Sequence, residues 1–268
     1  AVLLVLAAAL CAAILWNLFL WWRHLPSSST HTFFGGLIGA ALAATHSTSS
    51  IEWGFSGFDP LHVRGFAGIT AALFFSPMLG FAAGYLMVKI VRFFLRWASP
   101  RAALSLKRGQ VATSALLAFS HGANAAQKGM GIMALALLSG GFITHYHLPF
   151  WIRIACGTAL VLGDVLGGWG IVKTVGQGIF RMRPEFGFES QAASALIVLG
   201  NSITGGPVST THVISTSIMG VGTAVRKKAV RWQRVFDIIL SWFLTVPAAM
   251  ILGAAAYYAL SPLGAMLK

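Results

Sequence analysis

The chain has 268 residues, of which 57% are hydrophobic and only 9% charged, with a mean hydropathy of +0.78. That composition excludes a soluble domain of this size and points to an all-α, polytopic membrane protein. The formal net charge is +13. Its Lys and Arg residues fall in short stretches between apolar segments, which reads as orientation of the chain in a bilayer and not as a nucleic-acid surface.

A span needs roughly 20 apolar residues. Taken in order, the long apolar segments are 1–22, 66–91, 111–138, 150–169 and 235–258, with shorter ones at 29–45, 187–203 and 208–225. The first begins "AVLLVLAAALCAAILWNLFLWW", without Met or a basic start, and is expected to be a membrane helix of a chain lacking its natural beginning. Cys11 and Cys156 lie in apolar segments and read as packing residues; no zinc pattern is present.

Basic residues predict the sides. Arg92, Arg96, Arg101, Lys107 and Arg108 mark one cytoplasmic stretch. Lys173, Arg181 and Arg183 mark a second, and Arg226, Lys227, Lys228, Arg231 and Arg234 a third. The 46–60 stretch holds Glu52 and Asp59 and no base, and 139–149 holds His145 and His147; both are expected outside. With 111–138 leading out and 150–169 returning, 187–225 starts and ends on the cytoplasmic side. A re-entrant hairpin with its tip at "GGPVSTTH", Gly205 to His212, satisfies that count. Irregular backbone at membrane depth must be buried in protein or line a cavity.

An earlier segment matches this one. "LPSSSTHTFFGGLIGAA" and "GPVSTTHVISTSIMGVG" align at an offset of 181 residues, pairing Pro26 with Pro207, Ser28 with Ser209, Thr30 with Thr211, His31 with His212 and Gly39 with Gly220. The charge bias makes the first hairpin open outward and the second inward. Inverted-topology repeats, each with a re-entrant hairpin and a broken helix, are a mark of secondary transporters. The expected organisation is 1–98 as the remainder of a first repeat with its tip at 25–31, a cytoplasmic basic loop at 99–110, and a second repeat at 111–268. The second repeat would contain the broken helix 111–138 and the hairpin 187–225.

A half-helix starting at either tip exposes N–H groups that favour an anion, and Ser27, Ser28, Ser29, Thr30, Ser209, Thr210 and Thr211 add hydroxyls. The plainer reading is ordinary helix capping. His31 and His212 follow the tips as candidates for proton relay or for holding the hydroxyls; a buried His more commonly satisfies a carbonyl. The third element is "SHGANAAQKGMGIM", Ser120 to Met133, which places His121, Asn124, Gln127 and Lys128 among glycines inside an apolar run. An intramembrane Lys is costly and marks function, unless it snorkels or neutralises Asp164. A membrane enzyme would need a base–nucleophile pair. Ser120 and His121 are a poor one, since helical neighbours point about 100° apart.

"SHGANAAQKGMG" resembles the signature of the inorganic phosphate transporter (PiT) family, in which an Asp follows the Asn. "RPEFGFESQAASALIVLGNSITGGPVSTTHVISTSIMGVG" and "LPSSSTHTFFGGLIGAALA" resemble that family's two hairpins. The resemblance implies a symporter for inorganic phosphate, with Ser28, Ser29, Thr30, Ser209, Thr210, Thr211, Asn124, Gln127 and Lys128 at the substrate and His31, His212 and His121 around it. It implies no metal site, cofactor or nucleic-acid partner. The coupling cation (a proton, sodium or a metal–phosphate complex) is left open, as is a homodimer. The implied location is a bacterial inner membrane, in contact with its lipids. Three features depart from the family. Ala125 stands where the family has Asp, nothing matches the first repeat's opening "GxNDxAN" helix, and Arg23-His24 precede the first tip. Sulfate transport within the same family is the nearest alternative. A non-transporting scaffold or degenerate fragment is the alternative of another class.

Overall fold

A computed structural model describes residues 2–54, 65–98, 102–204 and 208–266. Each of the eight predicted apolar segments becomes a helix: α1 Val2–Trp22, α2 Ser29–Thr45, α3 Gly65–Leu95, α4 Ala102–Ser139, α5 Phe150–Gly167, α7 Pro184–Thr204, α8 Thr210–Arg226 and α9 Trp232–Met266. A short α6, Trp169–Lys173, runs into a π-helical turn, Thr174–Gly178. No strand occurs among the described residues. Asp59, Arg101 and the tip residues Gly205, Gly206 and Pro207 lie outside them.

Among the described residues, four helices are long and apolar enough to cross a membrane: Val2–Trp22, Phe74–Leu95, Phe150–Gly167 and Trp232–Pro262. Their outer faces carry large apolar side chains, among them Ile14, Phe75, Val165 and Ile251. Lipid tails solvate such faces as readily as a protein core would, so helix packing here relies on close contact and not on apolar burial. The expected span 111–138 forms a helix but is not one of the four, since its polar stretch lowers its hydropathy.

One expectation is corrected in α4. The predicted broken helix at 111–138 is unbroken: α4 runs continuously for 38 residues through Ser120–Met133. Its glycines are interspersed with Ala and Met, which are strong helix formers, and an isolated Gly costs a helix only about 1 kcal/mol. Lys107 and Arg108, expected in a loop, lie in the opening turns of the same helix.

The chain forms two compact units. One contains Ala1–Ala71, Ala126–Gly167 and Ile239–Lys268; the other contains Ala72–Ala125 and Gly168–Ile238. Both draw on the early and the late part of the sequence, and α3, α4 and α9 each contribute to both.

In the first unit α2 packs on α1 and α9. Gly36 meets the Ala9 carbonyl and the Ala12 methyl of α1, while Gly35 faces Ala249, Gly39 the Met250 carbonyl, and Gly253 the Gly36 carbonyl. In the second unit α8 packs on α3. Thr216 faces Gly80, Gly220 the Phe81 carbonyl, and Gly84 the Ser217 carbonyl. The two sets correspond contact for contact. Gly35, Gly36 and Gly39 map on Thr216, Ser217 and Gly220 at the offset of 181, and Ala249, Met250 and Gly253 map on Gly80, Phe81 and Gly84 at an offset of 169. At Gly39 and Gly220 an added Cβ would strike backbone, so only glycine lets these helices approach. Each hairpin helix therefore packs on a long helix from the other part of the sequence.

Candidate functional site

The first tip is built by closing α1 and reopening the chain as α2. His24 adopts φ 53°, the Leu25 N–H donates to the Leu20 carbonyl at 2.9 Å, and the His24 N–H donates to the Trp21 carbonyl at 2.9 Å. This is the double hydrogen bond that ends helices with a left-handed residue, here His in place of the usual Gly. Pro26 follows, buried, its carbonyl accepting from the Trp242 indole at 3.3 Å. The Ser27 hydroxyl donates to Asn17 Oδ1 on α1, and the Thr32 hydroxyl approaches the same oxygen at 3.4 Å.

Ser28 caps α2. Its backbone is extended (φ −106°, ψ 105°), and its Oγ accepts the His31 N–H at 3.4 Å and bonds the His31 ring at Nδ1. Serine does this well because its oxygen reaches the third N–H of the helix it precedes. The cap leaves the Ser29 and Thr30 N–H groups at the positive end of α2, with no acceptor among the described residues. Ser29 is exposed, Thr30 buried, and His31 only 1% exposed.

The second tip repeats this chemistry. Ser209 is extended (φ −86°, ψ 108°), and its Oγ accepts the His212 N–H at 3.3 Å. The Val213 N–H donates to the Ser209 carbonyl at 3.1 Å, as the Thr32 N–H does to Ser28 at 3.0 Å. His212 is fully buried, Thr210 buried and Thr211 half-buried.

The polar stretch of α4 serves the two units separately. In the second unit, His121 Nδ1 lies 3.0 Å from the Thr210 hydroxyl, and Asn124 Nδ2 donates to Ser202 Oγ on α7 at 3.3 Å. The Asn124 carbonyl oxygen is buried and meets no donor among the described residues. In the first unit, the half-buried Lys128 ammonium acts electrostatically on His31, which places a cation near the first tip. Gln127 is exposed on α4, and no contact joins it to another predicted site residue among the described residues.

The structure thus joins His121 and Asn124 to the second hairpin, and Lys128 to the first. Arg23, a doubtful neighbour for an anion, is exposed and lies over the Trp22 ring with 6.0 Å to its centroid. Sequence reading missed three supporting residues. Asn17 was legible as the lone amide in the apolar run of α1. Ser202 carried no local signal, because its role depends on α4. Glu189, an acid inside the apolar segment 187–203, is 3% exposed on α7, with Arg92 of α3 acting on it electrostatically.

What this arrangement can do chemically is hold a small oxyanion. Each tip offers helix N–H groups and hydroxyls, neutral donors that bind an anion without trapping it, and Lys128 adds one positive charge at the first. No cluster of three or more His, Cys, Asp or Glu suited to a metal ion occurs among the described residues.

Comparison with known proteins follows the same line. The model of the phosphate transporter family matches residues 1–108 and 96–253. A Bacillus subtilis (strain 168) protein named "Probable low-affinity inorganic phosphate transporter" is 40% identical over 259 residues, which cover 96% of this chain and 74% of that protein. A Rhizobium meliloti (strain 1021) protein of the same name is 40% identical over 257 residues, covering 95% of this chain and 74% of its own. Among solved structures, a sodium-dependent phosphate transporter superposes with a TM-score of 0.82 at 24% identity, covering 96% of this chain and 79% of that one. That likeness supports the fold.

Proposed function

From the premise that this chain belongs to the phosphate transporter family, we propose that it carries inorganic phosphate across a membrane by secondary active transport. The observation that carries the reading is the recurrence, at an offset of 181 residues, of a Ser-capped helix start with a buried His in its first turn. Two such starts are excessive as capping alone, since other residues cap helices without a buried imidazole behind them.

In this reading Ser28, Ser29 and Thr30 donate to phosphate from one hairpin, and Ser209, Thr210 and Thr211 from the other. His31 and His121 hold the hydroxyls of Ser28 and Thr210, and His212 supports the second helix start. Asn124, Gln127 and Lys128 complete the set from α4. Residues 1–98 and 111–268 are the two inverted repeats, joined through 99–110, and alternating access is the rocking of one repeat against the other. The membrane is the bacterial inner membrane, and its lipids cover the apolar faces.

Phosphate is favoured over sulfate by Asn124. Hydrogen phosphate carries an O–H donor and sulfate does not, and the buried Asn124 oxygen is an acceptor in want of one. Ala125, half-buried beside it, supplies no carboxylate for a coupling cation. That residue favours the second reading, a protein of this fold that binds phosphate without moving it.

The test is uptake of labelled phosphate by cells lacking their own phosphate carriers and expressing this protein. Uptake above the empty-vector control, abolished by Thr210→Val with Thr211→Val, is the expected result. Binding without uptake selects the second reading, and neither binding nor uptake removes the first.

A further inference from the structure

Two basic stretches that are far apart in sequence meet on one face of the second unit. The stretch 173–184 and the stretch 226–234 contain eight Lys and Arg and no Asp or Glu. Arg231 stitches them together. Its N–H donates to the Ile179 carbonyl at 2.9 Å, and its guanidinium donates to the Gln177 carbonyl at 3.2 Å, at the end of the π-helical turn. Beneath, Phe180 and Val230 close on Gly222 of α8 so tightly that an added Cβ would lie 3.0 Å from one and 2.8 Å from the other. Ile179, Phe180 and Val230 are buried, so the backbone of both stretches is anchored.

The anchoring engages two of the eight cations. Arg231 is committed to carbonyls, and Arg183 has Glu185 at 4.0 Å. Arg181, Lys227 and Lys228 are exposed, with no side-chain partner among the described residues, on the two sides of the stitch. Two indoles flank the same unit: Trp169 is 73% exposed, and Trp232 is 44% exposed with its Nε1 donating to the Lys227 carbonyl at 3.2 Å. Tryptophan with its ring in the apolar layer and its N–H at a polar edge marks the depth of lipid headgroups.

We propose that this face binds the phosphodiester headgroup of an anionic phospholipid of the cytoplasmic leaflet, with Arg181, Lys227 and Lys228 as its cations. Orienting a chain requires only that bases lie near span ends; it does not require two loops to be stitched and buried against one glycine. Clustered bases at a membrane surface attract anionic lipid, and a stitched pair of loops holds its charges in place before the lipid arrives. A free phosphate ion would make no use of the indoles. The headgroup face lies at the C-terminal end of α8, whose N-terminal start is the second tip, so lipid bound there stiffens the helix that carries Thr210.

The experiment is native mass spectrometry of the detergent-purified protein with added phosphatidylglycerol or phosphatidylcholine. Its readout is independent of transport and so of the functional reading above. Phosphatidylglycerol is expected to stay bound where phosphatidylcholine leaves, and inorganic phosphate at equal concentration is expected not to displace it. Arg181→Gln with Lys227→Gln and Lys228→Gln is expected to weaken retention by on the order of 100-fold, while Arg183→Gln leaves it within about threefold. Equal retention of both lipids overturns the proposal, as does an undiminished affinity in the triple variant. Displacement by inorganic phosphate also overturns it and assigns the face to the free ion. Should the triple variant fail to fold, the wild-type preference and its loss at high salt decide the matter alone.

Discussion

The Thr210 hydroxyl lies 3.0 Å from Nδ1 of His121, a residue 89 positions earlier on α4. Thr210 is the first residue of α8, and α4 is otherwise distant in sequence, so this bond sets the direction in which the tip hydroxyl points. A double-mutant cycle measures that coupling. Thr210→Val and His121→Ala are each expected to raise the phosphate Kd. Together they should be less than additive by about 1 kcal/mol, roughly fivefold in Kd. Full additivity in equilibrium binding would show that the two side chains act independently.

Asn124 governs the choice of anion. Asn124→Leu keeps the helix and removes both the acceptor and the bond to Ser202. Phosphate binding is expected to weaken by about 10- to 100-fold, and sulfate binding to change by less than about threefold. Competition of labelled phosphate with each unlabelled anion measures both. Equal losses for the two anions would relieve Asn124 of the discriminating role.

Ala125 is where a charge is expected to matter. Ala125→Asp places a carboxylate next to Asn124 and Lys128 on α4. It is expected to make uptake more dependent on the sodium or proton gradient, since a cation then neutralises a buried acid. Uptake rates in proteoliposomes with and without each gradient test this. An unchanged gradient dependence would locate the coupling charge elsewhere, with Glu189 the buried carboxylate to try next.

Gly39 and Gly220 should behave alike, and unlike Gly122. An added methyl at either of the first two meets backbone of α9 or α3, and each Gly→Ala is expected to cost roughly 1–3 kcal/mol, seen as a lower Tm in detergent. At Gly122, where nothing lies within 4 Å, Gly→Ala is expected to stabilise α4 by about 0.5–1 kcal/mol. A destabilised Gly122→Ala would mean that α4 unwinds there during function, the break that the sequence suggests and this conformation lacks.

Ser28→Ala and Ser209→Ala probe the caps. Each removes an acceptor for the third N–H of its helix and is expected to cost about 1 kcal/mol of stability. Both should also weaken phosphate binding. Ser28→Asp separates the two effects: it restores the cap while placing a negative charge at the tip. Recovered Tm with lost phosphate affinity is the expected outcome.

What the sequence determined by itself is local. The eight apolar segments, the helix starts at Ser28 and Ser209, and the match between the two hairpins were all legible, because hydropathy, capping chemistry and motif spacing act over a few residues. Membrane class followed from composition for the same reason. Tertiary structure decided which residues share a unit. Whether α4 bends could not be read from its glycines, since a helix tolerates isolated Gly when nothing forces it apart. Nor could sequence place α2 on α9 and α8 on α3, because the glycine contacts that select those pairs depend on backbones more than a hundred residues apart. The same holds for Asn124 with Ser202, His121 with Thr210, and the two basic stretches joined by Arg231. In each case the chemistry was visible in one residue, and its partner was supplied only by the packing of helices at close range.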